Sequence, residues 1–167
     1  LPAVMTGFLF TAISNWTGRP PVRGVSLAAL VAVWLAGRVA IFFSAVIGPA
    51  AAGIDCLFLL LVTAAAAREV IAGRNWRSLP PVGIVLVFCI GNVLFHAEAH
   101  AAGMSEGGTR LGIAASIALI SRIGGRIVPS FTRNWLMREN RGLLPASPGR
   151  FDAAVLGISL LAPISWV

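Results

Sequence analysis

The chain has 167 residues, of which 57% are hydrophobic and only 11% charged. A soluble domain carries about 25% charged residues, so this composition excludes a globule that covers itself with polar groups in water and points to lipid as the solvent. The net charge of +7 is the balance of 13 basic residues, all arginine, against 6 acidic ones; the arginines lie between long apolar runs and form no hydrophilic face. That argues against a nucleic-acid partner and for loop charge and contacts with phosphate headgroups of a lipid bilayer.

The expected fold is all-α: a polytopic transmembrane helical bundle forming a single membrane domain over residues 1–167. A spanning helix needs about 20 mostly apolar residues. About residues 1–15 read as the tail of a helix begun upstream, and residues 22–47 as a full span broken by Gly48-Pro49. Residues 50–71, 79–102 and 111–131 follow as the third, fourth and fifth spans. Residues 151–167 start a sixth. Leu1 in place of Met, and an apolar run that stops at Trp166-Val167, are read as a fragment of a larger polytopic protein, truncated in its first and last spans.

The connecting segments test this division. Arg19 and Arg23 fall between spans one and two, Arg68, Arg74 and Arg77 around the turn between three and four, and Arg133, Arg138, Arg141 and Arg150 between five and six. The turns at 48–53 and 103–109 hold no Arg, and the second carries Glu106, with Arg110 at its edge. Basic and non-basic turns alternate, and the positive-inside rule places the Arg-rich ones in the cytoplasm. Trp16, Trp76 and Trp135 each follow an Asn at the inner end of an odd-numbered span, where an indole suits the headgroup level.

Those Asn-Trp pairs are evenly spaced, and Pro20-Pro21-Val22 returns as Pro80-Pro81-Val82. The spacing equals two spans and their turns, as a helical hairpin repeated in parallel would give. Interfacial Trp and helix-starting Pro also recur at membrane boundaries without a repeat. Under the repeat, Arg38 and Glu98 occupy equivalent depths in spans two and four. Charges inside a span are costly and face the bundle interior with a partner, so Arg38 and Glu98 are expected to form a buried pair or to line one polar interior.

Span four is the most informative. His96 and His100 are four residues apart and share a helix face; Asn92 and Cys89 continue the stripe, with Glu98 nearly opposite. Neutral imidazole is a common metal ligand, and an i, i+4 pair can grip one ion. Two rings on one face cannot bind opposite sides of a single haem. The alternative is that these histidines hydrogen-bond within the bundle or sit at the outer interface. Asp55, at the outer start of span three, either orients an imidazole as an acceptor or caps a helix end. Cys56 and Cys89 lie in apolar runs, which argues against a disulfide framework. At the other end of the bundle Arg122 and Arg126 share a face around Gly124-Gly125, ahead of Pro129, which would kink the helix. They would clamp haem propionates or lipid phosphates, or snorkel to the inner interface.

Three segments together resemble the NnrS family: Gly7-Phe8-Leu9 through Asn15-Trp16-Thr17-Gly18-Arg19-Pro20, the Asn92-x3-His96 pattern, and Gly124-Gly125-Arg126-Ile127-Val128-Pro129 to Phe131-Thr132-Arg133-Asn134. The resemblance implies a bacterial inner-membrane protein that binds haem and copper, is linked to denitrification and nitric oxide stress, and has more spans than this chain holds. It makes His96 and His100 the first ligand candidates, with the remaining helices of the larger protein supplying others. It does not identify a reaction, and no denitrification-reductase signature is present. A secondary transporter or channel with buried charge pairs, or a structural membrane subunit, would share the same composition.

Overall fold

The computed structural model describes residues 2–17, 20, 22–139, 149–152, 154–155 and 157–158. All regular structure among them is helical: α1 Pro2–Thr17, α2 Val25–Phe42, α3 Ser44–Ile47, α4 Ala50–Ala72, a single 3₁₀ turn Trp76–Ser78, α5 Leu79–Ala102 and α6 Glu106–Arg138. Four of these, α2, α4, α5 and α6, are long and apolar enough to cross a membrane. The 23 residues of α4 and 24 of α5 reach about 35 Å at 1.5 Å per residue, enough for a hydrocarbon layer of about 30 Å. The predicted sixth span, Arg19 and Arg141 fall wholly or mostly outside the described residues.

Local chemistry sets the helix ends. Pro80 and Pro81 occupy the first turn of α5, where a missing N–H is harmless. Gly103, with φ of 71°, ends the helix in the left-handed region, which only glycine enters without strain. Two predicted spans change their bounds. Span two stops at Phe42, and Ser44–Ile47 form the separate short α3 before Gly48 turns the chain. Span five begins earlier and runs on past Pro129 to Arg138. In the first turn of α6 Gly108 is a poor helix former, but a Cβ there would meet the backbone of Phe95 on α5, so close packing of the two helices requires glycine.

α4 is the hub. It packs on α1, α2 and α5, while α6 packs on α5. Its buried residues Ala51, Asp55, Phe58, Leu59, Val62, Ala66 and Val70 recur at three- and four-residue steps, the spacing of one helix face. Phe58, Leu59, Val62, Ala66 and Val70 of this face meet Leu9 and Ile13 of α1, Val82, Val85 and Cys89 of α5, and Leu119 and Ile123 of α6 in one core. The outward faces are apolar too, as Val31, Leu35 and Val39 of α2 illustrate; lipid, unlike water, imposes no penalty on them.

α5 and α6 approach through glycine. A Cβ on Gly108 would meet backbone atoms of Phe95 and stand 2.8 Å from the carbonyl oxygen of Gly91; one on Gly91 would stand 3.1 Å from the amide nitrogen of Gly112. Small residues at helix contacts let backbones pack closely where no hydrophobic drive between helices operates. The three Asn-Trp pairs do not share one local structure: Asn15 and Asn134 are helical, whereas Asn75 precedes the 3₁₀ turn.

Candidate functional site

The polar centre of the bundle is Asp55, on the buried face of α4 and only 6% exposed. Two neighbouring helices converge on its carboxylate. From α2, the Arg38 guanidinium donates to Oδ1. From α5, the Asn92 side-chain amide donates to Oδ2 at 3.2 Å, and His96 Nε2 lies 3.1 Å from the same oxygen. The Asn92 amide also lies 3.5 Å from Cys56 Sγ. Asn92 and His96 reach one oxygen because they stand one turn apart on α5. The Phe95 ring meets the imidazole edge to face, with centroids 5.4 Å apart.

The approach of Arg38 depends on its neighbour. A Cβ on Gly37 would stand 3.2 Å from Asp55 Cα and Oδ1. Glycine therefore lets α2 lie against α4 at the level where the next residue reaches across. Electrostatically, an isolated carboxylate within a span would be neutralised rather than stay charged. Here the Arg38 guanidinium, the Asn92 amide and the His96 ring all meet its oxygens, the kind of pairing and hydrogen bonding that a buried charge requires.

The expected Arg38–Glu98 pair is corrected. Arg38 pairs with Asp55, and Glu98 instead accepts the backbone N–H of Gly108 at 3.1 Å, in the first turn of α6. The reason is helix order. α4 lies between α2 and α5, so equal depth does not bring Arg38 and Glu98 together, and Asp55 on the intervening helix takes the arginine. Glu98 satisfies one of the orphan N–H groups that every helix start carries and adds a charge-assisted bond to the positive end of the α6 dipole. Glu98→Gln is expected to keep most of the stability of the protein in detergent, and Glu98→Ala to lower it by about 1–2 kcal/mol. Equal unfolding midpoints for the two variants would refute this capping role.

Of the other residues singled out from the sequence, Asn92 and His96 join the cluster, and His100 does not: it is exposed, one turn further along α5. Arg122 is partly buried and Arg126 exposed on α6. They lie on a different level, since α5 meets α6 at Gly112 beside Gly91 and Arg122 is ten residues on, about 15 Å along the axis. Sequence reasoning left Asp55 between two roles; the structure gives it the acceptor's role. The signal for it was the stripe Ala51, Asp55, Leu59, Val62 and Ala66, which puts a carboxylate on the most buried face of an apolar helix. Gly37 carried no sequence signal of its own.

The residues fit one ligand position rather than a full coordination shell. His96 is an imidazole held by a carboxylate through one nitrogen, the arrangement that orients metal-binding histidines. Among the described residues, no three His, Cys, Asp or Glu side chains form a group able to hold a metal.

Fold and cluster together define a class: a helical membrane protein with a charged, histidine-bearing centre shared by three spanning helices. The chain belongs to the NnrS family; the match to the family described as NnrS protein covers residues 1–167. No curated protein and no solved structure matches the chain.

Proposed function

We propose that this is an inner-membrane haem- and copper-binding protein that presents His96 to a cofactor and serves the nitric oxide response or nitric oxide tolerance during denitrification. The observation that carries this reading is the buried Asp55 carboxylate, paired with Arg38 and set 3.1 Å from His96 Nε2. A carboxylate behind an imidazole fixes the ring and raises its basicity as a ligand. A cofactor bound there would supply affinity for a small gas or redox chemistry; this chain's residues hold and orient its ligand. Family membership over the whole chain and the resemblance of the Asn92-x3-His96 segment support the choice of cofactors. The alternation of Arg-rich and Arg-free turns supports the cytoplasmic placement of the basic ones.

The test is cofactor content. The whole protein, expressed with haem and copper supplied and purified in detergent, is expected to show a Soret band and stoichiometric metal. His96→Ala is expected to lose at least half of one cofactor. A colourless, metal-free protein would end this reading. The Arg38–Asp55 pair, set in two spanning helices, supports a second reading as an ion-coupled carrier, since paired intramembrane charges line such pathways. Solute uptake into liposomes that Asp55→Asn abolishes would favour it.

A further inference from the structure

The packing face of α6 changes chemistry where α5 ends. Gly108, Ala115 and Leu119 are buried and share one face, since three-, four- and seven-residue steps return to the same side of a helix. Arg122, Arg126 and Arg133 continue that face by the same steps. Counted on from Gly112 beside Gly91, Ile123 comes level with the first turn of α5, and it is the last buried residue of α6. From there the helix runs on to Arg138, a further length of about 22 Å. The opposite face stays apolar throughout: Ile113, Ile117, Ile120, Val128, Phe131 and Trp135 are all exposed. From Gly107 to Arg138 there is no acidic residue. The end of α6 is thus amphipathic, with Arg on one side and Phe and Trp on the other, the pattern of a helix that keeps its apolar side in the acyl boundary and its basic side among headgroups.

We propose that α6 from Arg122 to Arg138 is a binding surface for an anionic phospholipid. Arg126 and Arg133, both exposed, take the headgroup phosphate through their guanidinium forks. Arg122, partly buried one turn before Arg126, adds its charge deeper in the same stripe. Val128 and Phe131 lie along the acyl chains, and Trp135 sets an indole at headgroup level. Charge complementarity selects the lipid. A basic stripe without a carboxylate attracts an anionic headgroup, whereas the ammonium of a zwitterionic headgroup offsets its own phosphate. Snorkelling of single arginines to the interface needs no common face; a headgroup held by several guanidinium groups does.

The test uses the whole protein, stripped of lipid in detergent and titrated separately with phosphatidylglycerol, phosphatidylcholine and inorganic phosphate. Binding is read from the thermal midpoint, which rises with any ligand that binds only the folded state. The midpoint is expected to rise with phosphatidylglycerol at concentrations where the other two have no effect. Arg126→Gln combined with Arg133→Gln is expected to raise the phosphatidylglycerol concentration needed by roughly tenfold. Arg68→Gln combined with Arg74→Gln removes the same charge from exposed positions around the α4–α5 turn and is expected to leave the response intact. Arg126→Lys combined with Arg133→Lys keeps the charge and is expected to retain most of the response, which separates a lost binding group from a folding defect. Arg133→Gln alone, beyond the last buried residue of α6, is expected to give a smaller loss in the same direction, and no loss there overturns the proposal. Equal responses to the two lipids, or equal weakening by the two Gln pairs, also overturns it. A response to inorganic phosphate that matches the lipid's overturns it as well, by assigning the stripe to a soluble anion.

Discussion

Asp55→Ala is expected to destabilise the protein by about 3 kcal/mol, near the lower end of what breaking a buried ion pair costs. The lower end applies because the Arg38 side chain keeps 43% of its surface while that of Asp55 keeps 8%. The loss has two sources. Arg38 is left as an uncompensated charge between spanning helices, and Asn92 and His96 lose the oxygen that ties α5 to α4. The compensating change follows. Arg38→Met in the Asp55→Ala background removes the orphaned cation and is expected to recover more than half of the loss, since apolar replacements of a buried pair are commonly neutral or stabilising. The measurement is the thermal midpoint of the single and double variants in one detergent. Independent, additive losses would show that Arg38 and Asp55 are not energetically coupled.

The second large effect concerns the seam between α5 and α6. Gly108→Ala is expected to destabilise by about 3 kcal/mol, the upper part of the range for overpacking. The added carbon has no flexible neighbour to displace: it meets the Phe95 backbone and the Gly91 carbonyl oxygen, so the helices must separate. Separation also breaks the bond from the Gly108 amide to Glu98. Gly112 is the control. A Cβ there meets only the Phe88 ring, at an ordinary 3.8 Å. Gly112→Ala is therefore expected to leave stability unchanged or raise it by up to about 1 kcal/mol, through helix propensity alone. Equal behaviour of the two variants would mean that the seam does not depend on glycine at position 108. Because Asn92 and His96 ride on α5, Gly108→Ala is also expected to perturb the Asp55 cluster, whereas Gly112→Ala is not.

The sequence by itself determined the helices. Length and hydropathy placed four long apolar segments, because lipid demands an internally satisfied backbone and selects helices. The fourth predicted span, 79–102, coincides with α5 because prolines open it and a left-handed glycine closes it, and both are local signals. The sequence also placed Asn92 and His96 on one face, which follows from helical periodicity alone. Only the tertiary structure decided the partners. Arg38 took Asp55 rather than Glu98, although the repeat offset put Arg38 and Glu98 at one depth, because α4 stands between their helices. Periodicity says which residues of a helix share a face, but not which neighbour that face meets or at what rotation. Those are set by contacts between backbones, at Gly37 against Asp55 and at Gly91 and Gly108 between α5 and α6, and a glycine leaves no trace of them in hydropathy or charge.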